Sequence, residues 1–316
     1  MTRSLLLALC TVVSGAFADE RAADLETTAT LDEELKSYAD VIEGDVVHEG
    51  LFTFYRDQES GAVTLSLGPQ QFEKEYIYFI HIEDGVVDAG SFRGAYGPRF
   101  VFTLERRFDK VAIVRENTAF YFDPDNAISR ASEANIARAV LAVQDIVAED
   151  EETGAILIEA DSLFLSEAWT QLSPSRDPDA DPRSEFTVGE FDAGKSQILN
   201  LRSYPLNTDI EVEYVFHNPK PLVYGSDAVT DPRNISVKAL HSLIEMPEND
   251  YQPRFADPRL GSFNQRITDL TSTESAPYRD VINRWHLVKK DPEAALSDPV
   301  EPITWWIENT TPVEWR

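Results

Sequence analysis

Cysteine is nearly missing from this sequence. One residue, Cys10, occurs in 316. It lies inside an N-terminal stretch with the features of an export signal, so a processed chain would hold no cysteine. That excludes disulfides, thiolate zinc ligands and thiol nucleophiles from the processed chain. A disulfide-free exported protein fits a bacterial envelope better than a small stapled secreted scaffold. Positive charge is also scarce: 28 Lys and Arg face 56 Asp and Glu, a formal net charge of −28. Such a surface repels phosphate backbones and anionic lipid, which argues against nucleic acid as a partner. No apolar run is long enough to cross a bilayer as a helix, so no membrane span is expected.

Histidine is sparse too, with His48, His81, His217, His241 and His286. No two lie four apart, so no His-Glu-x-x-His helix exists here. His48-Glu49-Gly50-Leu51-Phe52 starts like that motif but carries Phe52 at the second ligand position. Each histidine is read as a structural or surface residue. There is no Gly-x-Ser-x-Gly elbow, phosphate loop or dinucleotide fingerprint. The glycine-rich stretch 90–97 is read as a loop between strands. Asp177, Asp179 and Asp181 alternate like a calcium loop, but Pro182 stands where that loop needs glycine and no glutamate occupies its twelfth position. A solvated turn is expected there. Pairing of carboxylates at sequence level is uninformative with 56 acids, so no catalytic and no metal-binding residue is assigned, and nothing specific supports an independent carboxylate hydrolase.

What the sequence does contain is a globular composition, 42% hydrophobic and 27% charged. Residues 1–18 read as a secretory signal peptide: Arg3, an apolar core over 5–13, and Ala16-Phe17-Ala18 before Asp19. This predicts export to the periplasm or medium of a bacterium. Residues 19–45 form an acidic lead, with one short amphipathic helix expected on Leu31, Leu35, Tyr38 and Ile42. From Val46 the period becomes two. A hairpin around Glu59-Ser60-Gly61 is followed by strands at eight-to-twelve-residue spacing, with turns near Phe108-Asp109 and Glu116-Asn117. Residues 132–147 fit either a helix or a strand by periodicity. Asp161 is expected to cap a short helix over "SLFLSEAWTQL". Further strands are expected over 196–204 and 209–217. The expectation is a mainly β (α+β) chain, with an antiparallel, sandwich-like domain over 46–245 and a few short helices. An extended, proline-rich connector then covers 246–316.

The C-terminal stretch "PVEPITWWIENTTPVEWR" reads as a strand over 300–307 and then a helix start, with Thr311 at the N-cap, Pro312 at N1 and Glu314 three residues after the cap. Four of the five tryptophans fall between Trp285 and Trp315.

The order of several stretches carries a resemblance: "GLFTFY", "TLSLG", "VFTLERRFDKVAIVRENTAFY", "EADSLFL", "RSEF", "SYPLNTDIEVEY", "EMPENDYQPRFADPRLGSF", "INRWHLVKKDP" and the C-terminal stretch. In these the chain resembles the N-terminal region of large exported bacterial zinc-dependent metalloproteases, where domains of unknown function precede a His-Glu-x-x-His catalytic domain. The resemblance favours strand at 132–147. It implies that the C-terminal stretch opens the protease domain, and that the zinc ligands and general base lie beyond Arg316. Zinc is then expected in the full-length protein and no cofactor in this chain. The implied partners are a C-terminal catalytic domain or a peptide or protein substrate. Trp305, Trp306 and Trp315 are the residues expected to meet such a partner. A stand-alone periplasmic or secreted protein-binding module without catalysis is the alternative.

Overall fold

The computed structural model describes residues 37–132, 134–173, 179–307 and 309–315. The expected signal peptide, Leu31, Leu35 and Asp177 lie outside the described residues. Among the described residues no helix is long and apolar enough to cross a membrane.

The expected lead helix is represented by one turn, α1 (Tyr38–Val41), whose first free amides are met by the Ser37 hydroxyl accepting from Asp40 N. Strands then follow: β1 (Val46–His48), β2 (Thr53–Arg56), β3 (Val63–Leu67), β4 (Glu75–Asp84), β5 (Tyr96–Arg107), β6 (Lys110–Arg115) and the short β7 (Phe120–Tyr121). Next come β8 (Ala139–Glu149), β9 (Ile156–Glu159), α2 (Asp161–Phe164), β10 (Glu190–Phe191), β11 (Gln197–Ser203), β12 (Asn207–His217) and β13 (Asn234–Glu245). The chain finishes its regular structure with β14 (Asn264–Asp269) and β15 (Tyr278–Ile282). The fold is therefore mainly β, as its alternating sequence predicts.

Twelve strands form one antiparallel sheet in the order β1-β2-β3-β9-β8-β6-β5-β4-β13-β12-β10, with β11 also paired to β12. Strand β8 turns the corner: its first half pairs with β6 and its second half with β9, across a register shift near Ile146. The sheet curls until β11 approaches β1 and β2, giving a nearly closed barrel. Among the described residues no strand pairing joins this seam. The Arg56 guanidinium joins it instead, donating to Ile198 O at 2.8 Å and Leu199 O at 3.3 Å. Below it, Leu51 N donates to Tyr204 O and the Ser203 hydroxyl donates to Phe52 O, both at 2.6 Å. Gly50 is required here, because a Cβ on it would strike Ser203 and the Tyr204 amide.

Inward positions follow the period-two pattern. Val63, Leu65 and Leu67 on β3, and Tyr76, Tyr78, Ile80 and Ile82 on β4, are buried, while their neighbours are not. The core is unusually aromatic, with Phe52, Phe54, Phe102, Phe164, Tyr214 and Phe216 fully enclosed.

Three expectations are corrected. The helix after Asp161 lasts one turn. The Ser166 hydroxyl bonds back to Ser162 O, and the Glu167 carboxylate accepts from Leu172 N and Ser173 N, so local side-chain bonds replace the helical ladder. Residues 300–307 form no strand despite their β propensity: among the described residues they pair with no strand, and the nearest pairing is an isolated bridge between Lys289 and Pro299. The expected helix start gives a single 3-10 turn, Val313–Trp315, closed by Trp315 N donating to Pro312 O at 3.0 Å.

The sequence reading leaves 234–245 without an element, yet β13 is central, pairing with β12 on one side and β4 on the other. Residues 264–282 also do more than connect. Strands β14 and β15 form a hairpin, and β7 adds to it in parallel, with Thr268 opposite Phe120.

Candidate functional site

Two sets of residues stand out: an apolar C-terminal segment facing solvent, and a histidine enclosed in the barrel.

Trp305, Trp306 and Trp315 are 80%, 93% and 78% exposed. Trp285, Leu296 and Val313, in the same C-terminal region, are exposed as well. Large side chains left in water in this number mark a surface suited to docking. The segment has little hydrogen-bonded scaffold of its own. The bridge at Pro299 and the turn at Val313–Trp315 are its regular features.

The fifth tryptophan behaves in the opposite way. Trp169 is 5% exposed and stacks on Tyr78 at 4.9 Å between ring centres, with Phe164 and Phe102 around it. Beside it lies His241, fully buried on β13. The Tyr78 hydroxyl meets its Nδ1 at 2.9 Å and the Tyr214 hydroxyl meets its Nε2 at 2.7 Å. A neutral imidazole has one N–H and one bare nitrogen. One tyrosine therefore accepts and the other donates, and both ring nitrogens are satisfied. Burial holds the imidazole neutral, pushing its pKa down to about 3. Burial likewise pushes both tyrosines well above their usual range, and Glu167 adds to this at Tyr214. The triad is buried, and its two hydrogen bonds tie β4, β12 and β13 together. Sequence reasoning gave His241 no special place. The signal was the alternation of Ile235, Val237, Ala239, His241 and Leu243, which puts the imidazole on the core face. The Trp169 indole N–H is buried without a hydrogen-bond partner among the described residues.

The other histidines are dispersed. His48 is partly buried, and burial together with nearby Arg56 lowers its pKa. His81 lies against Phe79 on the outer face of β4. His217 meets Asn234 at 3.0 Å, and His286 meets Asp250 at 3.0 Å. Among the described residues no group of three His, Cys, Asp or Glu side chains is placed to hold a metal ion. Residues 90–95 of the glycine-rich stretch form a loop between β4 and β5, with Gly90 and Gly94 in left-handed conformations, while Tyr96 and Gly97 already belong to β5. Asp181 caps a turn by accepting from Arg183 N at 2.9 Å.

Comparison with protein families matches residues 94–290 to a family described as "Domain of unknown function (DUF5117)". The matched region runs from the loop before β5 through both sheets and past β15. No curated protein and no solved structure matches the chain.

Proposed function

The chain belongs to the DUF5117 family, and from that premise we propose that it is the non-catalytic front region of an exported zinc-dependent metallopeptidase. In this reading the C-terminal segment docks a catalytic domain that supplies the zinc ligands and general base, and export follows from the signal-like residues 1–18. The observation that carries it is the exposure of Trp305, Trp306 and Trp315. Leaving three indoles in water forgoes the burial that such side chains normally supply, on the order of 1.5–3 kcal/mol for a large apolar group. An adjoining domain would recover that burial. The resemblance of the ordered sequence stretches to the front of such proteases motivates the same reading.

Two measurements test it. Purified residues 19–316, supplied with zinc, should show no peptide cleavage; zinc-dependent proteolysis by this chain alone overturns the proposal. Sequencing the gene past codon 316 should reveal an in-frame His-Glu-x-x-His segment. A stop codon, with the protein stable in the cell envelope, would instead make the tryptophans the binding face of a stand-alone module.

A further inference from the structure

The outer face of the barrel carries a cleft that the tryptophan segment does not line. Its floor is Ile77 on β4 and its cross-strand partner Val101 on β5. Its far wall is the β14–β15 hairpin, held in place by Thr268 N donating to Ala119 O at 3.0 Å. The cleft measures about 710 Å³, and a second hollow of about 290 Å³ shares Arg99, Phe100 and Thr118 with it.

The polar groups that face this cleft have unused hydrogen-bonding capacity. Arg99, Asn264, Gln265 and Asn283 line it, and none of their side chains has a hydrogen-bond or ion-pair partner among the described residues. Arg115, which lines the adjoining hollow, belongs to the core-facing side of the sheet: it lies opposite Phe102, with its guanidinium 4.7 Å above the Phe100 ring. Arg106, Arg138, Arg266 and Arg279 all sit against carboxylates. Glu116, the acid lining the smaller hollow, is already taken by Arg138 and the Thr103 hydroxyl.

We propose that this cleft binds a short extended peptide through one of its carboxylates. Arg99 takes the carboxylate. The amides of Asn264, Gln265 and Asn283 each offer a donor and an acceptor, which suits peptide N–H and C=O groups. The apolar floor takes an adjacent side chain. Charge limits the ligand's acidity: a polyacidic chain is repelled by the molecule's net −28, whereas a single carboxylate gains the local attraction at little such cost. This site stands apart from any relation to a peptidase.

The test is calorimetric titration of the full chain at low ionic strength with acetyl-Ala-Ala-Glu-Ala-Ala-amide and its glutamine counterpart. The glutamate peptide should bind about tenfold more tightly, the worth of a charge-assisted contact over a neutral one. Arg99→Gln should abolish that preference, while Arg183→Gln, away from the cleft, should keep it. Asn264→Asp should weaken the glutamate peptide and leave the glutamine peptide unchanged. These positions are exposed, so the fold should persist, and circular dichroism checks this. Equal binding of the two peptides, absence of binding, or an undiminished preference in Arg99→Gln overturns the proposal. Neither result depends on zinc or on a catalytic domain, so this failure is distinct from failure of the proposed function.

Discussion

The Tyr214 hydroxyl lies 2.7 Å from Nε2 of His241, and this contact bridges β12 to β13 in the middle of the barrel. With Tyr78 on the opposite nitrogen, the imidazole is fully satisfied while neutral. Protonation would put an unpaired charge into an aromatic core, which is why burial holds the pKa near 3.

The pH dependence follows in sign. The unfolded chain binds a proton at His241 below pH 6.5, while the folded chain stays neutral down to about 3. The His241 contribution is therefore fully present above pH 6.5 and is lost as pH falls toward 3. The slope within that window is about 1.4 kcal/mol per pH unit. His241→Gln keeps a donor and an acceptor for the two tyrosines but cannot titrate. Urea unfolding across the window should show a shallower acid loss in this variant, by about that slope. Parallel curves would refute the assignment.

The barrel seam makes a second prediction. Arg56→Met removes two charge-assisted bonds to the Ile198 and Leu199 carbonyls, and it should cost about 1.5–3 kcal/mol. Gly50→Ala should also destabilise, because its Cβ meets Ser203 and the Tyr204 backbone. Both act on one seam, so their effects should be non-additive in a double-mutant cycle on denaturation midpoints. Strict additivity would show that the seam is not one cooperative unit.

Much of this architecture is legible in the sequence where one residue in two is apolar. Strands β3 and β4 announce themselves through Val63, Leu65 and Leu67 and through Tyr76, Tyr78, Ile80 and Ile82. Strand β13 carries the same alternation in Ile235, Val237, Ala239 and Leu243, but a histidine occupies one of its core positions and is tolerated there only once two distant tyrosines arrive. Residues 300–307 fail in the opposite direction, since β-branched and aromatic residues make a strand only when an edge accepts them. Trp169 lies within a stretch that alternates like a helix, but local bonds from Ser166 and Glu167 turn it into the core. The exposure of the C-terminal tryptophans is a property of the fold, while their clustering is legible in the sequence. The outer cleft was invisible there, because Ile77, Arg99 and Asn264 are far apart in the chain and meet only through the sheet.

Tryptophan emission provides a third check. Trp169 is enclosed by three rings, whereas Trp285, Trp305, Trp306 and Trp315 face water. The folded chain should show one blue-shifted component protected from acrylamide over a larger red-shifted, quenchable one. Trp169→Phe should remove the protected component alone. The variant also deletes an indole N–H that is buried without a partner, which offsets part of the lost packing. Loss of the protected component on replacing any of the other four would contradict the burial described here.

The exposed tryptophans give the last prediction. Trp305→Ser, Trp306→Ser and Trp315→Ser should each change the unfolding free energy of this chain by no more than about 0.5 kcal/mol, the range for surface sites without special contacts. A core tryptophan cut to a small residue would cost about 3–5 kcal/mol by comparison. The two outcomes are well separated in denaturant midpoint. If the three indoles serve an adjoining domain, the same substitutions should instead weaken association with that domain, each by 1 kcal/mol or more for a buried aromatic anchor, on the order of tenfold in affinity. Stability unchanged and association weakened is the pattern a docking surface must give. A fall of several kcal/mol in this chain alone would assign the indoles to its own fold and remove the observation on which the docking reading rests.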